Sequence, residues 1–144
     1  MKNVILTLAL AASSAFAEAP KDRPVREETT KMDRVIAPYV AEAKKTWPGA
    51  KKRFLAGLPK GETFFVTVQL HEGERMEQCF VRVKKIDGTK ISATVASEIL
   101  SLKKVRNGDP VTIDESEIID WLIAKPDGSE EGNVVGKFLD TYQP

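Results

Sequence analysis

The chain contains one histidine, His71, and one cysteine, Cys79. A cysteine nucleophile needs a base within hydrogen-bond reach, and the spacing of this pair argues against that use. The two residues sit in stretches of alternating apolar and polar residues joined at Glu72-Gly73, a pattern that predicts a hairpin. With both apolar faces turned inward, Cys79 falls opposite Val66. His71 then lies five residues further on, about 16 Å away, and on the other face. A catalytic triad has no second histidine to draw on, and a His/Cys metal site has too few ligands. The expectation is that the chain has no catalytic residue of this kind, no metal and no cofactor, with His71 exposed near the turn and Cys79 buried as an apolar side chain.

Carboxylates are the other reactive groups. Asp109, Asp114, Glu115, Glu117 and Asp120 cluster in sequence, as do Asp127, Glu130 and Glu131. Neither set has the alternating-ligand spacing and central glycine of a calcium loop. Glycoside hydrolysis needs two carboxyls flanking a sugar-sized cleft, which a small domain without a second lobe rarely builds. No glycine-rich phosphate loop joins a strand to a helix. A solvated acidic face is the reading that follows. The alternative is a carboxylate-based or metal-assisted hydrolase using Asp120 with Asp109, Asp114 or Glu117. Asp120-Trp121 stands out: a Trp among Ile118, Ile119, Leu122 and Ile123 belongs in a core, given the area it buries. Asp120 should face the opposite side of the strand, capping a turn or bonding backbone near Ser116. The functional reading of the pair is a ligand groove with an aromatic floor. Asp120, Trp121, Phe80 and Asp109 are therefore the candidate ligand- or partner-binding residues.

The elements that must position these residues change period along the chain. Thr30 with Asp33 resembles a helix start. Met32, Ile36, Tyr39, Val40, Ala43 and Trp47 then form one apolar stripe. Pro38 predicts a kink or a break near Ala37. Pro48 predicts the first turn of a second short helix carrying Phe54, Leu55 and Leu58, ended by Gly57, Pro59 and Gly61. Lys44, Lys45, Lys51, Lys52 and Arg53 read as the wet face of these helices. Alternation takes over in Glu62–Leu70, Arg75–Ile86 and Lys90–Ala96, with turns at Glu72-Gly73 and Asp87-Gly88. Leu100, Leu102 and Val105 follow as expected plugs for the end of the core. Asn107-Gly108 turns the chain into Val111–Ile113, and Ile118–Ala124 reads as a strand or a short turn leading into one. Residues 126–132 read as an exposed loop and Val134–Tyr142 as a closing strand, with a helix as the alternative. Helices first and strands afterwards indicate an α+β domain: N-terminal helices packed on a strongly curved antiparallel sheet of five or six strands.

The first 17 residues read as a cleavable signal peptide. Lys2 precedes an apolar run, Val4–Ala12, and an exit at Ala15-Phe16-Ala17. Cleavage after Ala17 places the protein in the periplasm or outside the cell, with no integral membrane segment left and no nearby Cys for a lipid anchor. Residues 18–28 read as a flexible leader and 29–144 as a single domain. Without residues 1–17 the chain carries 21 Lys and Arg against 21 Asp and Glu, which argues against nucleic-acid binding. The charge is uneven, with 11 basic and 6 acidic groups in residues 18–60 but 2 basic and 9 acidic groups in 107–144. Attraction between these two ends across the fold is the simplest consequence. These exclusions point to a non-enzymatic binding or interaction domain, an inhibitor or immunity-type factor included, acting on a protein or small ligand as a monomer or small homo-oligomer.

Six segments together resemble the YegJ-like family of bacterial domains of unknown function (domain of unknown function 2314). The helix with Met32, Ala43 and Trp47, followed by Phe54-Leu55, is similar to that family's N-terminal helical region, and Phe65-Val66-Thr67-Val68 to its first strand. Residues Glu77 to Val83 stand where the family has Glu-His-Met/Phe-Trp-Val-x-Val, here with Gln78 for the His and Phe80 for the Trp. Gly108-Asp109 and Val111 match a Gly-x-x-Val turn and strand. Ile119-Asp120-Trp121 resembles Ser-Asp-Trp, here with Ile119 for the Ser, and Val135-Gly136-Lys137-Phe138 a closing Val-Gly-x-Phe/Tyr strand. The resemblance implies an α+β fold in a bacterial protein and no established activity.

Overall fold

The computed structural model describes Ala17 and residues 29–143. Apart from Ala17, the expected signal peptide and leader lie outside the described residues. The fold is α+β, a six-stranded antiparallel sheet with two helices. Helix α1 spans Thr29–Ala56, and strands β1 (Thr63–Glu72), β2 (Arg75–Asp87), β3 (Lys90–Val95), β4 (Pro110–Asp114), β5 (Asp120–Ala124) and β6 (Glu130–Gly132) follow. A single 3-10 turn, Glu115–Glu117, precedes β5, and helix α2 (Val134–Thr141) ends the described chain. The sheet order is β4-β3-β2-β1-β5-β6, so the last two strands add to the β1 side after β4 has completed the other.

Where two helices were expected, α1 is continuous through both Pro38 and Pro48. Each proline removes one backbone donor, to the carbonyls of Arg34 and Lys44 respectively. Both prolines, Arg34 and Lys44 are exposed, so water takes over those acceptors and the helix continues. It stops at Gly57, whose φ of 93° suits the left-handed position after a helix end. The buried stripe is Ile36, Ala43, Trp47 and Ala50, with Phe54 packed at its margin. Leu55, expected with Phe54 and Leu58 on the second helix, is 59% exposed.

That stripe lies on the sheet's front face, formed by Phe64, Val66, Val68, Cys79, Val81, Val83, Ile91, Ala93, Val95, Ile113, Trp121 and Ile123. Phe64 stacks between Trp47 and Phe54, with ring centroids 5.8 and 5.4 Å away. Polar ties fix the register of α1 on the sheet. Trp47 Nε1 donates to Glu115 Oε2 at 3.2 Å, and Lys51 Nζ donates to the same oxygen and to the Gly88 carbonyl, both at 2.7 Å. Arg53 pairs with Glu131, which also holds Lys125 at 2.7 Å. The basic N-terminal region thus meets the acidic C-terminal region across the fold, as the charge distribution suggested. Trp47→Phe keeps most of the ring but loses the indole donor, while Lys51 still satisfies Glu115. A loss of about 1 kcal/mol is expected, measured as a shift in urea midpoint with unchanged slope.

Strand pairing departs from the expected register. Cys79 pairs with Val68 and Val81 with Val66, because the two-residue turn is Gly73-Glu74, with Gly73 at φ 62°, and not Glu72-Gly73. The shift is two residues, so every side chain keeps its face. His71 is exposed, as expected, and pairs with Met76. A bulge between Val83 and Lys85 adds one residue to β2, and this returns Ile86 to the front face opposite Ile91. Residues 130–132, read as loop, form the short edge strand β6 on β5. Leu100, expected as a core plug, is 66% exposed, while Leu102 is buried.

Several carboxyls are held below their ordinary range by the groups that dock these elements. Glu131 is lowered to about 2 by hydrogen bonds from Arg53 and Lys125. Asp114, Glu115, Asp127 and Glu72 are lowered too, chiefly by hydrogen bonds from Ser116, Lys51, Ser129 and Lys104 in turn. A depressed folded-state value means that the stabilisation is present above the unfolded value and is lost as the folded group gains its proton. Stability should therefore fall as the pH drops from about 4.5 towards 2. The urea midpoint measured at pH 6 and pH 3 checks this, and Glu131→Gln should flatten part of the slope. Four of these groups are half-buried and Asp127 is exposed, so solvent screens each of them and each contributes modestly.

Candidate functional site

The acidic residues of 109–120 do not converge. Asp109 Oδ2 accepts from the Arg106 amide at 2.9 Å and so closes its own turn. Asp114 and Glu117 form a reciprocal capping box around the 3-10 turn. Asp114 also accepts from Ser116 and Thr89 and pairs with Lys90 at 3.1 Å. Glu115 points the other way, to Trp47 and Lys51. Among the described residues no three His, Cys, Asp or Glu side chains gather as metal ligands.

Asp120 is 1% exposed. Its Oδ1 accepts from the Trp121 amide at 2.8 Å and its Oδ2 from the Val135 amide at 2.7 Å. Burial pushes this carboxyl up, against the pull of the backbone amides of Val135, Trp121, Gly136 and Val134. The carboxylate therefore caps the start of α2, and does not bond backbone near Ser116. The closing segment, expected as a strand with a helix as the alternative, is this helix. Phe138 stacks on Tyr39 of α1 at 4.1 Å, and Val135 is buried.

Two glycines make the approach to α2 close enough for the cap. A Cβ on Gly132, where φ is 74°, would lie 2.8 Å from Trp121 Cε3 and closer still to the Trp121 carbonyl oxygen. A Cβ on Gly136 would run into the Asn133 side chain, which is buried and donates to Glu130. Trp121 itself is core: 9% exposed, tilted against Phe64, its Nε1 donating to Thr46 at 3.0 Å. Asp-Trp and the downstream Val-Gly-Lys-Phe are thus two halves of one joint between sheet and helix.

Phe80 is elsewhere. It lies on the back of the sheet, opposite both helices, against a second cluster made of Phe65, Leu122 and Ala124. Phe65 is flanked in register by Arg82 on β2 and Leu122 on β5. The Arg82 guanidinium sits 5.6 Å from the Phe65 ring centroid, within cation–π range. Thr67 pairs with Phe80 and Thr63 with Ala124. Thr63 is buried, and its Oγ1 has no hydrogen-bond partner. Ala17 packs on this cluster, contributed from a part of the chain remote from the sheet. Of the four sequence candidates, Asp120 and Trp121 adjoin in the α2 joint, Asp109 is in its own turn, and Phe80 is on the back face.

Phe65, Arg82 and Thr63 were missed in the sequence reading, although a signal exists. Thr63–Val68 is apolar or β-branched at every position, the mark of a central strand with both faces covered, and all six residues are buried.

These features define a small α+β domain, helix-backed on one side of its sheet and apolar-aromatic on the other. The chain belongs to the DUF2314 family, described as an uncharacterized protein conserved in bacteria, whose model matches residues 40–140. The match takes in the sheet, the Asp120 cap and nearly all of α2. No curated protein and no solved structure is detectably similar to the chain. Among the described residues no helix is long and apolar enough to cross a membrane.

Proposed function

We propose that this chain is an exported binding domain without catalysis of its own, and that the back of its sheet is the binding face. The observation that carries the reading is the cluster of Phe65, Leu122 and Ala124, with Phe80 at its margin and Arg82 over Phe65, on the face that neither helix occupies. Aromatic side chains and an arginine are the residue types that dominate binding hot spots. The carboxylates a hydrolase would need support the same reading. Asp120 gives its oxygens to backbone amides, and Asp109 and Asp114 cap turns. Export rests on the charged, apolar and Ala-x-Ala parts of residues 1–17. The partner is a protein or small ligand, with an inhibitor or immunity role as the specific form.

The test uses residues 18–144 as bait in a periplasmic extract, beside Phe80→Glu and Arg82→Glu baits with unchanged melting temperature. A component retained by the first and lost from both variants is expected. The same bound set on all three baits would contradict the assignment of the face. Export is checked separately by sequencing the N-terminus of the fractionated protein, which should begin at Glu18. A cytoplasmic product that keeps Met1 would contradict export.

A further inference from the structure

The outer side of α1 carries charge that the fold does not use. The helix holds seven basic residues against two acidic ones, Asp33 and Glu42. Lys51 and Arg53 dock it to the sheet through Glu115 and Glu131. Arg34, Lys45 and Lys52 are exposed, and among the described residues none of their side chains has an ion pair. Their spacing aligns them. Eighteen residues make five turns of helix, so Arg34 and Lys52 lie on one line, about 27 Å apart, with Lys45 about 20° off it. Ala43, at the centre of the buried stripe, is half a turn round from that line. Asp33 and Glu42 lie to either side, about 80–100° away. We infer from this ridge that α1 lies along an anionic phospholipid surface, with lipid phosphates as the partners of Arg34, Lys45 and Lys52.

Shape favours lipid over an acidic protein. Between the three cations the outer side carries Pro38, Ala41 and Pro48, all exposed. These short side chains let the longer cations reach a plane together. Leu55, beside the end of the ridge, is 59% exposed and can enter the headgroup layer. A protein partner is held chiefly by aromatic and arginine anchors seated in pockets, and this convex row carries no aromatic side chain. A charged plane requires only that the cations arrive at the same time. No helix of the described chain is long and apolar enough to cross a membrane, so charge at the surface carries the contact. Each Lys or Arg held there strengthens binding about fivefold, and three together about 100-fold. With α1 on the lipid, the sheet stands between the lipid and the back face, which stays open to a partner. The inference stands on α1 alone and does not require that face to bind anything.

The probe is residues 18–144, which contain both helices and all six strands, co-sedimented with vesicles of phosphatidylcholine alone or with one-third phosphatidylglycerol. Binding to the anionic vesicles only is expected, and it should fall steeply between about 0.05 M and about 0.5 M salt as the charges are screened. Joint substitution Arg34→Ser, Lys45→Ser and Lys52→Ser, with unchanged melting temperature, should raise the lipid concentration for half-binding about 100-fold. The joint control Lys84→Ser, Lys85→Ser and Lys103→Ser removes the same charge from exposed positions on other elements, and should leave binding within about threefold of the parent. No preference for the anionic vesicles, or equal weakening by the two triple variants, would overturn the inference. Binding of poly-glutamate in place of the vesicles would mark an acidic polypeptide as the partner and overturn it too. The Phe80-dependent capture is read separately, so either result can fail while the other holds.

Discussion

Asp120→Ala is expected to cost about 4 kcal/mol, the largest effect of any single substitution considered. The carboxylate accepts from the amides of Trp121 and Val135 at 2.8 and 2.7 Å in a site that is 1% exposed. Alanine leaves those donors buried and unpaired, at about 1–3 kcal/mol each. It also removes the negative charge from the start of α2, where the helix dipole favours it. Asp120→Asn keeps one acceptor oxygen and should recover about half of the loss. The damage should be local before it is global. Amides of Val134–Gly136 should lose hydrogen-exchange protection first, because α2 undocks while the sheet persists. A loss under about 1 kcal/mol would contradict the capping role.

Glu77→Ala follows, with an expected loss of about 3 kcal/mol. Glu77 lies on β2 and is buried, and its two oxygens accept from the amides of Leu100 and Ser101 at 2.7 Å and Leu102 at 3.2 Å. These contacts fold the segment between β3 and β4 over the end of the sheet and set Leu102 into the core. Without the carboxylate three donors lose their acceptor. The segment opens to water to satisfy them, which is why the loss should fall below that at Asp120. Glu72, half-buried at the hairpin end, does the same for Lys103 and Lys104, and Glu72→Ala should cost under half as much because water reaches it readily. Urea titration with an unchanged slope, and exchange confined to residues 97–108, are the expected results.

Both sites explain why the sequence was legible in some places and not in others. The α1 stripe, the hairpin alternation and the acid-base asymmetry are local patterns, and each is visible in the sequence. Pro48 was misleading because the rule that a proline ends a helix assumes that the freed carbonyl has no water, and here Lys44 is exposed. Val134–Tyr142 reads first as a strand, with a helix as the alternative, because Val134, Val135 and Phe138 favour a strand. What makes it a helix is a carboxylate 15 residues upstream and a left-handed Asn133, with φ 55°, and no local pattern carries either. Asp120 was noticed for the right reason, as a charge beside a buried Trp, while its partner was assigned to the wrong segment. Of the back face only Phe80 stands among the sequence candidates, because its other members are Phe, Leu, Ala, Thr and Arg, residue types that no catalytic or metal-binding pattern marks.

Photo-crosslinking in cells tests the binding face most directly. Phe80 is replaced by p-benzoylphenylalanine, and Lys44, on the exposed side of α1, is replaced in a parallel strain. One discrete crosslinked product from position 80 and none from position 44 is the predicted result. A product from position 44 with none from position 80 would place the interaction on the helical side and contradict the account.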